Sequence, residues 1–347
     1  MIDEPTCLIL GAGASAPYGL PTAMKLRDLI IPTRSPTGLE TAKEFPLKIP
    51  HQAWLDPGHP TKEWNIYLEQ AVERAGLTTK LADFRNKFYR VDQTIDWFIR
   101  DNEEAFGDIA RLHIAAVLLN CEQDNLSGNW YRSLAQRLFS GGPETLEAGK
   151  LAVISFNYDR SLERYLLNVL ENQYGKSWPD AKELLSRIQI EHVYGQLGTL
   201  DEVPYGDFMK AQSAAEGIRL IRPQPDPVTK EKIQGMIQGS TYVNFIGFGF
   251  DDDNINLLGP DNIKGKNKRP WSTSRGLSPM TRRKATQSFG VGFGPKGEPD
   301  LDAEQFFGAR DVFGPKRSPA AGVVSRRPAP RRPRSSWMGD LGTGWRL

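Results

Sequence analysis

Cysteine and histidine are scarce in this chain of 347 residues. It holds two cysteines, Cys7 and Cys121, and four scattered histidines, His51, His59, His113 and His192. That set builds neither a disulfide framework nor a zinc ribbon, so no metal site is expected. No apolar run approaches the roughly 20 residues that a bilayer-spanning helix needs. Met1-Ile-Asp-Glu4 lacks the basic start of a secretion signal. Together these absences point to a protein of the reducing cytoplasm with no membrane partner.

Hydrophobic residues make up 39% of the chain and charged ones 25%, enough apolar material for a sizeable core. The charge is unevenly placed. Residues 262–347 carry 18 Lys and Arg against 6 Asp and Glu, while residues 1–261 carry 26 against 36. An acidic body followed by a Gly/Pro/Arg-rich basic stretch reads as a folded domain, 1–285, with an appended tail, 286–347, too poor in apolar residues to order itself. The tail is the one segment with the charge to meet nucleic-acid phosphates, though it has little aromatic interleaving.

Short bounded apolar runs at Cys7–Leu10, Leu151–Ser155 and Tyr242–Phe250, with an alternating run at Ile188–Tyr194, read as strands; Ile218–Ile221 is a further short candidate. Helical spacing occupies the intervals, most clearly in Glu103–Cys121, where Phe106, Ile109, Leu112, Ala116 and Leu119 recur every three or four residues. Strands separated by helices predict an α/β fold with a mostly parallel sheet covered on both faces. The block from about 55 to 145, between the first two strands, is then a helical insertion, preceded by a Pro-rich loop over 32–60.

Four strands end in small or polar clusters. The first runs into Gly11-Ala12-Gly13-Ala14-Ser15-Ala16, which fits the Gly-x-Gly-x-x-Ala form of the dinucleotide fingerprint. Glycines there let the backbone approach a pyrophosphate while first-turn amides face its charge; a plain tight turn packing helix on strand has the same composition. The others end at Asn157–Asp159, Gly195–Gly198 and Gly247–Asp253. In an open parallel sheet ligands bind beyond the carboxyl ends of the strands, so these four clusters are expected to converge.

The ordered set Gly11-Ala-Gly13-Ala-Ser15, Ser155-Phe-Asn157-Tyr-Asp159, His192-Val-Tyr194-Gly195 and Phe245-Ile-Gly247-Phe-Gly249 resembles sirtuin-like domains. The branch it is most similar to is the one in bacterial antiphage defence, as in the Thoeris NADase effectors, rather than the protein deacetylases. The stretch Val91–Ile99 leading into a long helix also looks like that branch, and the likeness covers about 5–260, or 5–285 with Gly276-Leu-Ser-Pro279. It implies a Rossmann-like fold of the sirtuin type, NAD as substrate, and cleavage of the nicotinamide–ribose bond to give nicotinamide and ADP-ribose. It also implies a homo-oligomer or a defence-system partner protein.

The resemblance makes Asn157 the catalytic residue, positioning the ribose and an attacking water, with Asp159 and His192 assisting. Helix capping is the plain alternative for Asn157 and Asp159. A hydrogen-bonded strand histidine is the plain alternative for His192, because Tyr194 stands where sirtuins place their histidine. Two positions apart on a strand, His192 and Tyr194 would share a face. The implied cofactor-binding set is Gly11, Ala12, Gly13, Ser15, Pro21, Tyr194, Gly195, Gly247, Phe248, Gly249 and Asp253. Deacetylating sirtuins carry a zinc ribbon of four cysteines, which two cysteines cannot build, so deacetylation is not the expected activity. A binding module that holds NAD or ADP-ribose without turning it over is the rival reading. An oxidoreductase needs a ribose-binding acid about twenty residues beyond the glycines, where this chain has its Pro-rich loop.

Overall fold

Every residue of β1 (Thr6–Leu10) is buried. Cys7 and Ile9 join one apolar core while Leu8 and Leu10 join another, as alternate residues of a strand must when both faces of the sheet are covered. β1 lies at the centre. β2 (Leu151–Ser155) and β4 (Tyr242–Ile246) pair with it in parallel, with Thr6 opposite both Leu151 and Tyr242. β3 (Gln189–His192) flanks β2 and β5 (Arg269–Ser272) flanks β4, giving the all-parallel order β3-β2-β1-β4-β5 of a Rossmann-like α/β fold.

The computed structural model describes residues 2–30, 70–124, 126, 129–220, 225–293, 301–309 and 313. They belong to a unit spanning Met1–Pro315; a second unit, Lys316–Leu347, and the Pro-rich stretch 32–60 lie outside the described residues. No helix among the described residues is long and apolar enough to cross a membrane.

A one-turn helix, α1 (Ala12–Ser15), follows β1, and α2 (Ala23–Ile30) lies beyond it. Between β1 and β2 come α3 (Thr78–Tyr89), α4 (Ile95–Arg100), α5 (Glu103–Cys121) and α6 (Asn129–Leu138), the described part of the expected helical insertion. α5 is its spine, buried along most of its length. α7 (Ser161–Tyr174) and α8 (Trp178–Leu185) join β2 to β3; α9 (Ala211–Glu216) and α10 (Pro227–Gln238) join β3 to β4. After β4 come α11 (Asp252–Leu258) and α12 (Pro260–Ile263), and after β5 come α13 (Pro279–Phe289) and α14 (Ala303–Ala309). α2 to α5, α9 and α10 line the Ile9 face; α6, α7, α8 and α14 line the Leu8 face.

Three expectations are corrected. The folded unit continues past 285: Val291, Leu301, Ala303 and Phe306 are buried, and Phe307 stacks on Trp130 with centroids 5.2 Å apart. The Gly/Pro/Arg background of this stretch masks that apolar pattern. β3 and β4 are shorter than their apolar runs, because the chain turns out of the sheet at Gly195 (φ +73°) and Gly247 (φ +59°). Ile218 forms only an isolated bridge to Gly195, while the unexpected β5 reads Arg-Pro-Trp-Ser and carries no apolar signal.

The chain builds outward from β1 through β2 to β3, then returns to add β4 and β5 on the other side. The switch therefore lies between β1 and β4. There the two following loops cross: Gly11 N donates to Ile246 O (3.0 Å) and Gly13 N to Gly247 O (3.1 Å). A Cβ on Gly11 would fall 2.5 Å from Gly247 O, and one on Gly247 would fall 2.1 Å from Ala14 N. Neither loop has backbone room to yield. Gly247→Ala, strained in φ as well as crowded, is expected to lower the unfolding free energy by about 3 kcal/mol or more, whereas Gly249→Ala, exposed and with open space around its Cβ, changes it by less than about 0.5 kcal/mol. Denaturant unfolding of the two variants checks this pair.

Candidate functional site

A cleft of about 530 Å³ opens over the crossed loops at the carboxyl edge of the sheet. Gly11, Ala12 and Gly13 line it from the β1 loop, and Gly247, Phe248 and Gly249 from the β4 loop. Phe156, Asn157 and Tyr158 enter from the end of β2 and Tyr194 from the turn after β3. Thr273, Arg275 and Gly276 enter from beyond β5. Three of the four strand-end clusters converge as expected, while the Gly195–Gly198 turn does not reach the cleft.

The glycine loop differs from a free array of phosphate donors. Gly11 N and Gly13 N are bonded to the β4 loop, and Ala14 N donates to Gly11 O (2.8 Å). Its contribution is shape: a surface with no side chain larger than the Ala12 methyl, which a ligand can approach closely. Positive charge comes instead from Arg275 and Arg100, which line the cleft while paired with Asp302 (2.8 Å) and Asp101 (3.3 Å).

Asn157 is buried yet lines the cleft, and its side chain ties β2 to the β1 loop. Nδ2 donates to Gly11 O and to Ser15 Oγ, both at 3.0 Å. A carbonyl oxygen only accepts, so the nitrogen must face Gly11 and the amide orientation is fixed. The carboxamide oxygen is then the group Asn157 can offer to a ribose hydroxyl or a water.

Asp159 and His192 lie behind this wall and do not line the cleft. Asp159 accepts from Ser161 N (3.1 Å) and Ser161 Oγ (2.5 Å), a local turn that leads into α7, whose N-cap position is Arg160. Burial raises its proton affinity, and the hydroxyls of Ser161 and Ser15 oppose that. His192 Nδ1 donates to Asn157 O (2.9 Å) and Nε2 to the Glu163 carboxylate (2.7 Å). Both partners are acceptors, so both ring nitrogens carry protons. Burial alone would push this imidazole down, but Glu163 and the Asn157 carbonyl outweigh it and hold the pKa above the ordinary 6.5. His192 is thus a positioning residue beneath Asn157. It shares no face with Tyr194, because β3 ends at His192 and the chain turns before Tyr194, whose hydroxyl donates to Asn254 Oδ1 (2.7 Å).

Ser15, Pro21 and Gly195 are likewise not lining residues. Ser15 is buried as the acceptor for Asn157, and Gly195 packs so tightly on the 217 loop that a Cβ would fall 2.0 Å from Gly217 O. Asp253 does line the cleft, on the first turn of α11.

The sequence reading missed the wall supplied by the helical insertion. Thr94 caps α4 by accepting from Trp97 N (3.3 Å), which sets Asp96 and Trp97 on the first turn facing the cleft. Arg100 follows one turn later with its guanidinium 3.8 Å above the Trp97 ring. Asp96 is half-buried, and burial, reinforced by Asp251, pushes its pKa up to about 6 against the donation from Tyr158. Among the described residues, no group of three or more His, Cys, Asp and Glu is placed to hold a metal ion. No family model and no curated protein matches this chain.

The His192 pair yields a test. A group whose folded pKa is raised contributes stability that is complete below the unfolded value near 6.5 and is lost as pH rises through the folded value. The stability difference between wild type and Glu163→Gln is therefore expected to be largest at pH 6 and to shrink above it. In an NMR titration the His192 resonance should move above the ordinary range and fall in Glu163→Gln. His113, pushed down to about 4 by burial, should stay neutral near pH 5 in both proteins.

Proposed function

We propose that the protein is an NAD glycohydrolase that cleaves NAD to nicotinamide and ADP-ribose, and that it serves bacterial antiphage defence by depleting the nucleotide. The observation that carries this reading is Asn157 at the switch-point cleft, held at the lip of the glycine crossing with its carboxamide oxygen left for the ligand. The cleft's volume is in the range of small-molecule and cofactor sites, and its lining mixes aromatic, glycine and polar groups. The likeness of the strand-end motifs to sirtuin-like domains supplies the substrate class.

In this reading the glycines of the crossed loops hold the pyrophosphate close to the backbone, with Arg275 and Arg100 near its charge. Gly247, Phe248 and Gly249 serve the adenosine half, and Asn157, Tyr158 and Tyr194 serve the nicotinamide ribose. The bond breaks through a positively charged, oxocarbenium-like ribose. The site therefore needs fixed dipoles and a placed water more than a strong nucleophile. Asn157 supplies the dipole, and the His192–Glu163 pair behind it keeps that dipole still. A homo-oligomer or a defence partner would supply the activating contact.

A second reading is favoured by one observation: His192 does not line the cleft and is bonded at both nitrogens. The same cleft could then serve as a sensor that binds NAD or ADP-ribose without turnover. Nicotinamide release from NAD by the purified protein separates the two. The hydrolase predicts release by wild type and a loss of about 100-fold or more in Asn157→Ala. The sensor predicts an NAD-dependent rise in Tm with no nicotinamide at any protein concentration.

A further inference from the structure

Hydrolysis of NAD consumes a water and releases a proton, and the cleft wall must contain a group that takes it. His192 cannot, because its ring nitrogens already donate to Asn157 O and Glu163 behind the wall. Tyr158 and Tyr194 are buried phenols that hold their protons more tightly than free tyrosine. That leaves the carboxylates of the cleft, and they are not equivalent. Asp251 is exposed and caps α11, accepting from Asp253 N (3.0 Å), and Asp253 is half-buried on that same first turn, away from Asn157 in the chain. Asp96 is set back in the wall beside Tyr158, the neighbour of Asn157.

We infer that Asp96 is the general base of this cleft, its carboxylate taking a proton from the water that attacks C1′ of the nicotinamide ribose. The inference rests on the NAD-cleaving reading. The water oxygen forms its bond to C1′ as the C1′–N1 bond breaks. The electron pair of that bond returns to the ring nitrogen, cancelling the pyridinium charge, so nicotinamide leaves neutral. One water proton passes to Asp96 and from there to solvent, and the other stays on the new hydroxyl of ADP-ribose. The ionised carboxylate also faces the positive charge that develops on the ribose.

The geometry suits that role. Thr94 fixes the first turn of α4, so Asp96 is carried on helical backbone rather than on a free loop. Tyr158 Oη donates to Asp96 Oδ1 at 3.5 Å and to Arg219 O at 3.4 Å, a divided and long contact that leaves the carboxylate capacity for a water. Tyr158 and Asp251 act on Asp96 directly, Tyr194 lies within reach of its charge, Arg100 on its own helix and Asp253 line the same cleft, and Arg111 on α5 acts on Tyr158. Burial and Asp251 win this balance over the Tyr158 donation and bring Asp96 to about 6, near the pH at which a base is both ionised and able to hold a proton.

The test is nicotinamide release as a function of pH by full-length wild type, Asp96→Asn and Tyr158→Phe. Wild type should show an acidic limb near pH 6. Asp96→Asn should lose kcat by about 100-fold or more with KM changed by less than about five-fold, and should lose the limb. Tyr158→Phe removes a donor that favours the carboxylate, so its limb should move to higher pH. This variant decides the matter if Asp96→Asn does not fold. Asp96→Asn with wild-type kcat, or a limb unmoved in Tyr158→Phe, overturns the inference and leaves the hydrolase reading standing. Absence of nicotinamide from wild type overturns both.

Discussion

The crossing of two backbones at Gly11–Gly13 and Gly247 is the constraint on which the site depends. It arises from topology: β1 and β4 are neighbours in the sheet, but the chain leaves them in different directions, so their loops must pass each other at the carboxyl edge. The loops are bonded together by Gly11 N and Gly13 N, and their separation leaves no volume for a side chain at either end. A floor built this way is rigid for reasons unrelated to any ligand. Gly247 N donates to Thr273 Oγ1 (2.9 Å), which extends the same constraint to the chain beyond β5. Farther along the β4 loop, Phe250 holds a positive φ of 56°, kept in place by Phe245, Phe248 and Phe289 around its ring. Strain of this kind persists only where packing over-determines the backbone.

Behind the floor lies a second tier of polar contacts whose work is alignment. Glu163 on α7 holds His192 at the end of β3, His192 holds the carbonyl of Asn157, and the Asn157 amide holds Gly11 O and Ser15 Oγ. Three strands and one helix thus meet through a relay of three side chains. Arg160, one residue beyond Asp159, turns the other way. It pairs with Glu122 (2.6 Å) in full burial and donates to the carbonyls of Gly198, Thr199 and Val203, tying the loop after β3 to the end of α5. A buried pair of this type is costly to break from one side, because the partner is left charged and alone. Its effect is to fix the loop that follows Tyr194.

Much of this was legible in the sequence where local chemistry and tertiary role coincide. β1, β2 and β4 are bounded apolar runs, and the glycines that cross are the ones a dinucleotide fingerprint selects. Asn157 followed an apolar strand, and the structure sets it at the cleft. What failed did so for physical reasons. His192 and Tyr194 alternate in sequence, but the strand ends between them, and alternation has no meaning beyond a turn. Asn157 and Asp159 are only two positions apart, yet Asn157 lines the cleft while Asp159 bonds Ser161 at the entry to α7. β5 has too little apolar content to announce itself, and the buried set Leu301, Ala303 and Phe306 is diluted by Gly, Pro and Arg around it. Asp96, Trp97 and Arg100 belong to an insertion far from β2 in sequence, and only packing brings them to the sheet edge.

How that packing places Asp96 follows from its neighbours on α4. Phe98 and Ile99, on the far side of the same short helix, are buried. Phe98 meets Phe88 at 4.9 Å, Phe84 at 6.0 Å and Phe106 at 6.0 Å between centroids, so α3 and the start of α5 hold the helix from behind. A six-residue helix has little stability of its own, and most of its order must come from tertiary contact. Aromatic clusters supply that through area and through preferred ring geometry, neither of which depends on a salt or pH term. The position of the carboxylate is therefore set by an apolar cluster, while its proton affinity is set first by burial in the cleft wall and then by Tyr158 and Asp251. Separating the two lets the polar side of α4 change its charge state without moving the helix that carries it.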